Sequence, residues 1–153
     1  MAFEERELTD EKEGTGLAYE KPLPQVTKED RPFWEAAREH RLVLPRCRQC
    51  GNVWFPPYSS CPRCLSFDRE WIDATGKGKV WGFIEMAQPY IASFRDDLPY
   101  NVALVELDEG PKMFGNIVGI PTDAITVDMP VEAVFDDVTD DFTLIRFKPR
   151  AQG

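Results

Sequence analysis

Residues 47–64 read CRQCGNVWFPPYSSCPRC, a CxxC pair, ten intervening residues and a CPxC pair. A CxxC turn can aim two thiolates at one metal ion while backbone N–H groups donate to the sulfurs, and Gly51 permits the tight backbone after the second cysteine. Two such turns make a closed tetrahedral site of Cys47, Cys50, Cys61 and Cys64. With every position filled by protein, none is left for water or substrate, so the metal is expected to be structural rather than catalytic. Zinc is the expected ion. Iron on the same thiolates is the rival, but nothing else in the chain suggests electron transfer, and a redox CxxC would need no second pair so close by.

The surrounding charge is unusual. From Arg41 to Cys64 there are four arginines (Arg41, Arg46, Arg48, Arg63) and no acid, whereas the other 129 residues carry 14 basic and 27 acidic groups. Either these arginines offset the double negative charge of a zinc tetrathiolate, or Arg46, Arg48 and Arg63 also meet an anion: a phosphate such as that of coenzyme A, or an acidic patch on a partner. Over its 153 residues the chain carries a formal charge of -9. That disfavours phosphate backbones and anionic membranes. The opening MAFEERELTDEKEG is acidic where an export signal is basic and then apolar, and no stretch approaches the ~20 apolar residues of a membrane span. A cytoplasmic location is expected, and in a reducing compartment two tight cysteine pairs bind metal rather than form disulfides.

On either side of the cysteines the pattern predicts a mainly β chain. Residues 1–26 are read as an acidic N-terminal extension, flexible or wrapped on a partner. In residues 27–44, Thr27 or Asp30 is a candidate cap, Pro32 suits a first turn, and Phe33, Trp34, Ala37 and Leu42 lie roughly on one face, which predicts a short amphipathic helix at about 30–40. The adjacent Phe33 and Trp34 cannot both face one small core, so one is expected to dock elsewhere. The metal module is assigned to 45–70, with Trp54, Phe55 and Tyr58 as its own small core. In 71–153 the runs GKVWGFIEMA, NVALVEL, KMFGNIVG, PVEAVF and FTLIRFK predict five strands, with turns at Asp108–Gly110 and within DDVTDD. Five hairpin-rich strands in so few residues point to a small barrel of the oligonucleotide/oligosaccharide-binding (OB) type, with a β-sandwich fragment as the alternative. The long QPYIASFRDDLPY connection (88–100) is either a surface that reaches a partner or a plug that buries Ile91 and Phe94.

No catalytic set is legible. The single histidine, His40, falls near the predicted helix end, where an imidazole commonly just favours the C-terminus. All four cysteines belong to the metal. There is no GxSxG elbow and no glycine-rich phosphate loop with a following lysine, and the acidic pairs sit in predicted turns.

FWEAAREHRLVLPRCRQCGNVWFPPYSSCPRC, followed by GKGKVWGF, PYNVALVELDEGPKMFGNIVG and a closing FKP, resembles the DUF35 family over roughly residues 30–149. The resemblance implies an N-terminal helix, a rubredoxin-like zinc ribbon and a C-terminal five-stranded OB-fold. It further implies a partner: a thiolase-superfamily enzyme, or a hydratase, of acyl-CoA metabolism, which this chain would complete as an accessory subunit, helping to hold an acyl-CoA thioester. The nucleophile and acid–base groups would belong to the partner. A nucleic-acid-binding module is the competing reading, since zinc ribbons and OB barrels both serve that use, although the net charge opposes it.

Overall fold

A computed structural model of the chain describes residues 19–151. Its first element, α1, spans Arg31–Arg38 with Pro32 in the opening turn. Asp30 is the N-cap, but its carboxylate is turned back to accept the Thr27 N–H at 2.7 Å, while its carbonyl takes the N–H groups of Phe33 and Trp34. At the other end the N–H groups of His40 and Arg41 return to the carbonyls of Ala37 and Ala36, and His40 has a φ of 60°. This is a Schellman turn with histidine in the left-handed position usually given to glycine. The helix therefore stops at Arg38, and Leu42, read as part of its apolar face, lies beyond it.

Strands β1 (Val43–Cys47) and β2 (Arg69–Asp73) pair antiparallel, with Val43 opposite Asp73 and Cys47 opposite Arg69. They frame the cysteine loops and extend beyond the 45–70 segment at both ends. Pro45 sits within β1 and supplies no N–H to the ladder. Its carbonyl instead accepts the Trp54 N–H.

The remaining strands are β3 (Lys77–Met86), β4 (Tyr100–Leu107), β5 (Lys112–Gly115), β6 (Pro130–Asp137) and β7 (Thr143–Pro149), ordered β5-β4-β3-β6-β7. Every pairing in this order is antiparallel. Beyond β5, the Phe147 N–H of β7 donates to the Asn116 carbonyl and its carbonyl accepts from Val118, a parallel bridge that draws the two outer strands together. The result is the curled five-stranded half-barrel expected of an OB-fold. At Gly78, an added Cβ would lie 2.4 Å from the Glu106 carbonyl oxygen, so only glycine permits the close approach of β3 and β4 there.

Helix, ribbon and barrel share one core. Phe33, Leu42 and Leu44 pack with Val80, Val105, Leu107, Met113, Val131 and Phe147. Phe33 is buried, and Trp34, half-buried, lies edge-on to both Phe33 and Phe142. The two aromatics thus both find partners within the fold, because α1 sits between ribbon and barrel rather than on one of them. Phe55 likewise leaves the ribbon and reaches Phe33, 5.2 Å between centroids.

Candidate metal centre and its surroundings

Cys47 ends β1 and Cys50 follows one turn later, where the Gly51 N–H returns to the Cys47 carbonyl with φ 78° at Gly51. The second half repeats this geometry: the Leu65 N–H returns to the Cys61 carbonyl, and Leu65 takes φ 67°. A 71% exposed leucine thus occupies the position held by glycine in the first knuckle. The four sulfurs lie within 4.8 Å of one another, with Cys47 and Cys64 3.5 Å apart and Cys50 and Cys61 3.6 Å apart. Four thiolates about 2.3 Å from one zinc ion define a tetrahedron with edges of about 3.8 Å. The cysteines fit such an ion and are free of disulfides.

The surroundings favour thiolates. The N–H groups of Gln49 and Cys50 point at Cys47 Sγ, that of Arg63 at Cys61 Sγ, and Asn52 Nδ2 also reaches Cys61 at 3.7 Å. Burial pushes the Cys61 thiol up, but the backbone donors of Cys64 and Arg63, with Cys50 and Asn52, outweigh it and bring it down to about 6. Cys47 is lowered chiefly by the Cys50 N–H, against an opposing burial effect. For Cys64 the Ser66 N–H pulls down, yet burial and the three other sulfurs win and push it up to about 12. Crowded thiols cannot all lose their protons unaided, and a divalent cation removes that repulsion. Trp54 packs against buried Cys47 and Cys61 and donates through Nε1 to the Tyr58 carbonyl, which seals one side. Tyr58 itself is exposed, so the expected ribbon core reduces to Trp54.

Zinc held here would be closed off by its four sulfurs and would act on the fold. Three of the four arginines of the basic island meet acids on or beside β2. Arg46 donates through Nε and Nη2 to Glu70, its cross-strand neighbour, at 2.8 and 2.6 Å. Arg48 pairs with Asp68 at 3.0 Å, and Arg41 with Asp73 and Glu39. Arg63 makes no ion pair with a described residue and lines a cleft of about 550 Å³ between the ribbon and the Glu109–Pro111 turn. Arg69 was not singled out from sequence, yet it ties the ribbon together: its Nη1 donates to the Tyr58 carbonyl at 2.8 Å and its Nη2 to the Glu29 carbonyl at 2.9 Å.

Elsewhere, His40 Nε2 is 3.0 Å from an Asp137 carboxylate oxygen on the surface, and its ring stacks on Phe135. A concavity of about 1280 Å³ lies at the barrel mouth between the 94–101 loop, the 116–123 segment and the chain's own residues 19–24. Lys21 pairs there with Asp97 at 2.8 Å. The described end of the N-terminal extension therefore lies on its own barrel; residues 1–18 are outside the described part. In the 88–100 loop Phe94 is half-buried at this mouth and Ile91 is exposed, which answers to neither simple reading of that loop.

Residues 34–69 match the family model of the ChsH2 rubredoxin-like zinc ribbon domain, and residues 71–136 that of the ChsH2 C-terminal OB-fold domain. A DUF35 domain-containing scaffold protein of Methanocaldococcus jannaschii is 34% identical over 110 residues, 71% of this chain and 77% of that protein. The chain belongs to the DUF35 family. A probable enoyl-CoA hydratase alpha subunit of Thermomonospora curvata is 38% identical over 129 residues, 84% of this DUF35 chain but only 40% of the longer relative. The Benzoylsuccinyl-CoA thiolase subunit BbsA of Thauera aromatica is 29% identical over 76 residues, half of each chain. Among solved structures, a chain of the Ltp2-ChsH2(DUF35) aldolase superposes with a TM-score of 0.76 at 38% identity, covering 83% of this DUF35 chain and 98% of that one. Among the described residues no helix is long and apolar enough to cross a membrane.

Proposed function

We propose that this chain is an accessory subunit of a thiolase-like complex in acyl-CoA metabolism, a thiolase, retro-aldolase or acyltransferase, in which the zinc ribbon and OB half-barrel are needed for assembly. The observation that carries this reading is the match over nearly the whole of the DUF35 chain in the Ltp2-ChsH2 aldolase, at 38% identity. The BbsA relative, a thiolase subunit, supports it. In this arrangement the partner supplies the nucleophile and the acid–base groups. The zinc ion, tied up by four sulfurs, would hold the two cysteine turns together at the end of β1, whose strand packs with α1 and the barrel in one core.

A second partner class has an observation of its own: the hydratase alpha subunit of T. curvata contains a region matching this chain. The two are separated by isolating the chain from its host under mild conditions and identifying what co-purifies. A thiolase-superfamily subunit supports the main reading; a hydratase supports the second. If neither is present, and deleting the gene leaves acyl-CoA turnover in extracts unchanged, the accessory-subunit reading fails.

A share in holding the acyl-CoA is a finer proposal. Of the three arginines, Arg46 and Arg48 are committed to Glu70 and Asp68. Arg63, beside its cleft, is the phosphate contact we favour. In the intact complex, Arg63→Ala should weaken CoA binding measurably while Arg46→Ala should not; equal effects would remove the assignment.

A further inference from the structure

Small antiparallel barrels turn one sheet face to the core and the other to water, and the outward side chains are then mostly polar. The outer face of β3, β4 and β5 departs from that rule. Its outward residues include Val102 and Leu104 of β4, Ile84 of β3 and Phe114 of β5, with Leu104 opposite both Gly82 and Phe114, and Ile84 opposite Val102. The register shifts between Val80 and Gly82, and at this irregularity Trp81 is turned out of the sheet, 55% exposed. Bulges re-aim a single side chain in this way. Ile84 is 59% and Phe114 72% exposed. From ordinary side-chain areas, these three residues offer roughly 400 Å² of apolar surface, the size of the largest patch on an ordinary monomer, which is often a functional one, and about half of what one partner contributes to a stable complex.

The charges at the rim of this patch are paired among themselves. Lys79 lies 3.6 Å from Glu106 and 3.7 Å from Asp128, Lys112 lies 3.8 Å from Glu106, and the Lys112 ammonium also sits 5.4 Å from the centre of the Trp81 ring. In OB barrels the second and third strands, here β4 and β5, commonly carry oligonucleotides. A nucleic-acid surface needs uncompensated cations, whereas Lys79 and Lys112 at this rim each lie beside a carboxylate on a chain of net charge -9. The chemistry left is that of an apolar protein interface with two aromatic anchors.

We infer that the outer face of β3–β4–β5 is the surface on which the thiolase-like subunit docks, with Trp81 and Phe114 inserted into apolar pockets of that subunit. The inference rests on the accessory-subunit reading above and names the surface it would use. Because the rim is internally neutral, the association is driven by apolar burial and is nearly independent of salt.

The test uses the full chain co-produced with the thiolase-superfamily subunit that co-purifies with it, comparing wild type, Trp81→Glu and Phe114→Glu. Both positions are exposed, so circular dichroism and zinc content should stay at wild-type values. Each substitution should weaken the complex at least tenfold, as loss of an interface anchor does. Raising sodium chloride from about 0.1 to about 0.5 M should change the wild-type affinity less than about threefold. Wild-type affinity in both variants would overturn the inference and leave the accessory role standing. A wild-type chain that carries no thiolase-like subunit would overturn both. Salt-sensitive binding of a single-stranded oligonucleotide, lost in Trp81→Glu while the subunit is retained, would assign the face to nucleic acid instead.

Discussion

At the scale of single residues, the metal centre shows what each neighbour of a cysteine does. Gly51 and Leu65 hold equivalent positive-φ positions after the two knuckles, but leucine pays a steric cost of about 1–2 kcal/mol in that conformation where glycine pays none. Glycine loses about 0.5–1 kcal/mol of that advantage to its freer unfolded chain. Leu65→Gly should therefore raise stability by about 0.5 kcal/mol, read as a higher denaturant midpoint of the zinc-loaded protein. A second expectation concerns protons. The Cys64 thiol, pushed up to about 12, is protonated at neutral pH in the metal-free cluster, whereas Cys61, brought down to about 6, is largely ionised. Zinc takes only thiolates, so binding at pH 7.5 must expel at least one proton, and acidification through about 6 must weaken the site further as Cys61 regains its own. Calorimetry in buffers of different ionisation enthalpy should give buffer-dependent heats. Identical heats would mean that the cluster is already fully ionised. The clustering of the four cysteines was legible because CxxC spacing is local. Arg69 and Asn52 were not, since their targets are a carbonyl 40 residues upstream and a sulfur brought close only by the closed loop.

At the scale of elements, the barrel strands could be read from alternation and turn residues, and each of the five runs lies close to an observed strand. The ribbon strands could not. Leu42, Val43 and Leu44 are apolar in succession and follow a helix, so they read as its continuation until the Schellman turn at His40 cuts them off, and Pro45 hides the strand that follows. β2 is short, and its charges pair with arginines on or beside β1: Glu70 faces Arg46 across the ladder and Asp73 pairs with Arg41. Gly78 is an element-scale constraint of another kind. A methyl group there would meet the Glu106 carbonyl at 2.4 Å and force β3 away from β4. Gly78→Ala should cost about 2 kcal/mol or more, judged against other strained or overpacked sites, with loss of amide-exchange protection along β3 and β4. A wild-type unfolding midpoint would show that the strands tolerate the shift.

At the scale of the whole molecule, one core joins helix, ribbon and barrel. Leu42 and Leu44, beside the first knuckle, and Phe33 of α1 pack with Val80, Val131 and Phe147 of the barrel. Losing the metal should thus be felt beyond the ribbon: Cys61→Ser should abolish stoichiometric zinc, and the barrel should unfold at lower temperature in a single transition with the ribbon. Two separate transitions, the later one unchanged, would show that barrel and ribbon are independent. What the sequence by itself determined was everything carried by short-range pattern: the four-cysteine centre, the mainly β chain, the OB-type run of five strands and, through the motifs between residues 30 and 149, the family. These survive because ligand spacing and alternation are enforced within a few residues of chain. Only the tertiary structure decided that Arg46 and Arg48 of the basic island pair with Glu70 and Asp68, that Trp34 and Phe55 have partners inside the fold, and that Trp81 and Phe114 share an exposed face. Each depends on pairings between strands far apart in the chain, and no local periodicity encodes which of two apolar faces a sheet turns outward.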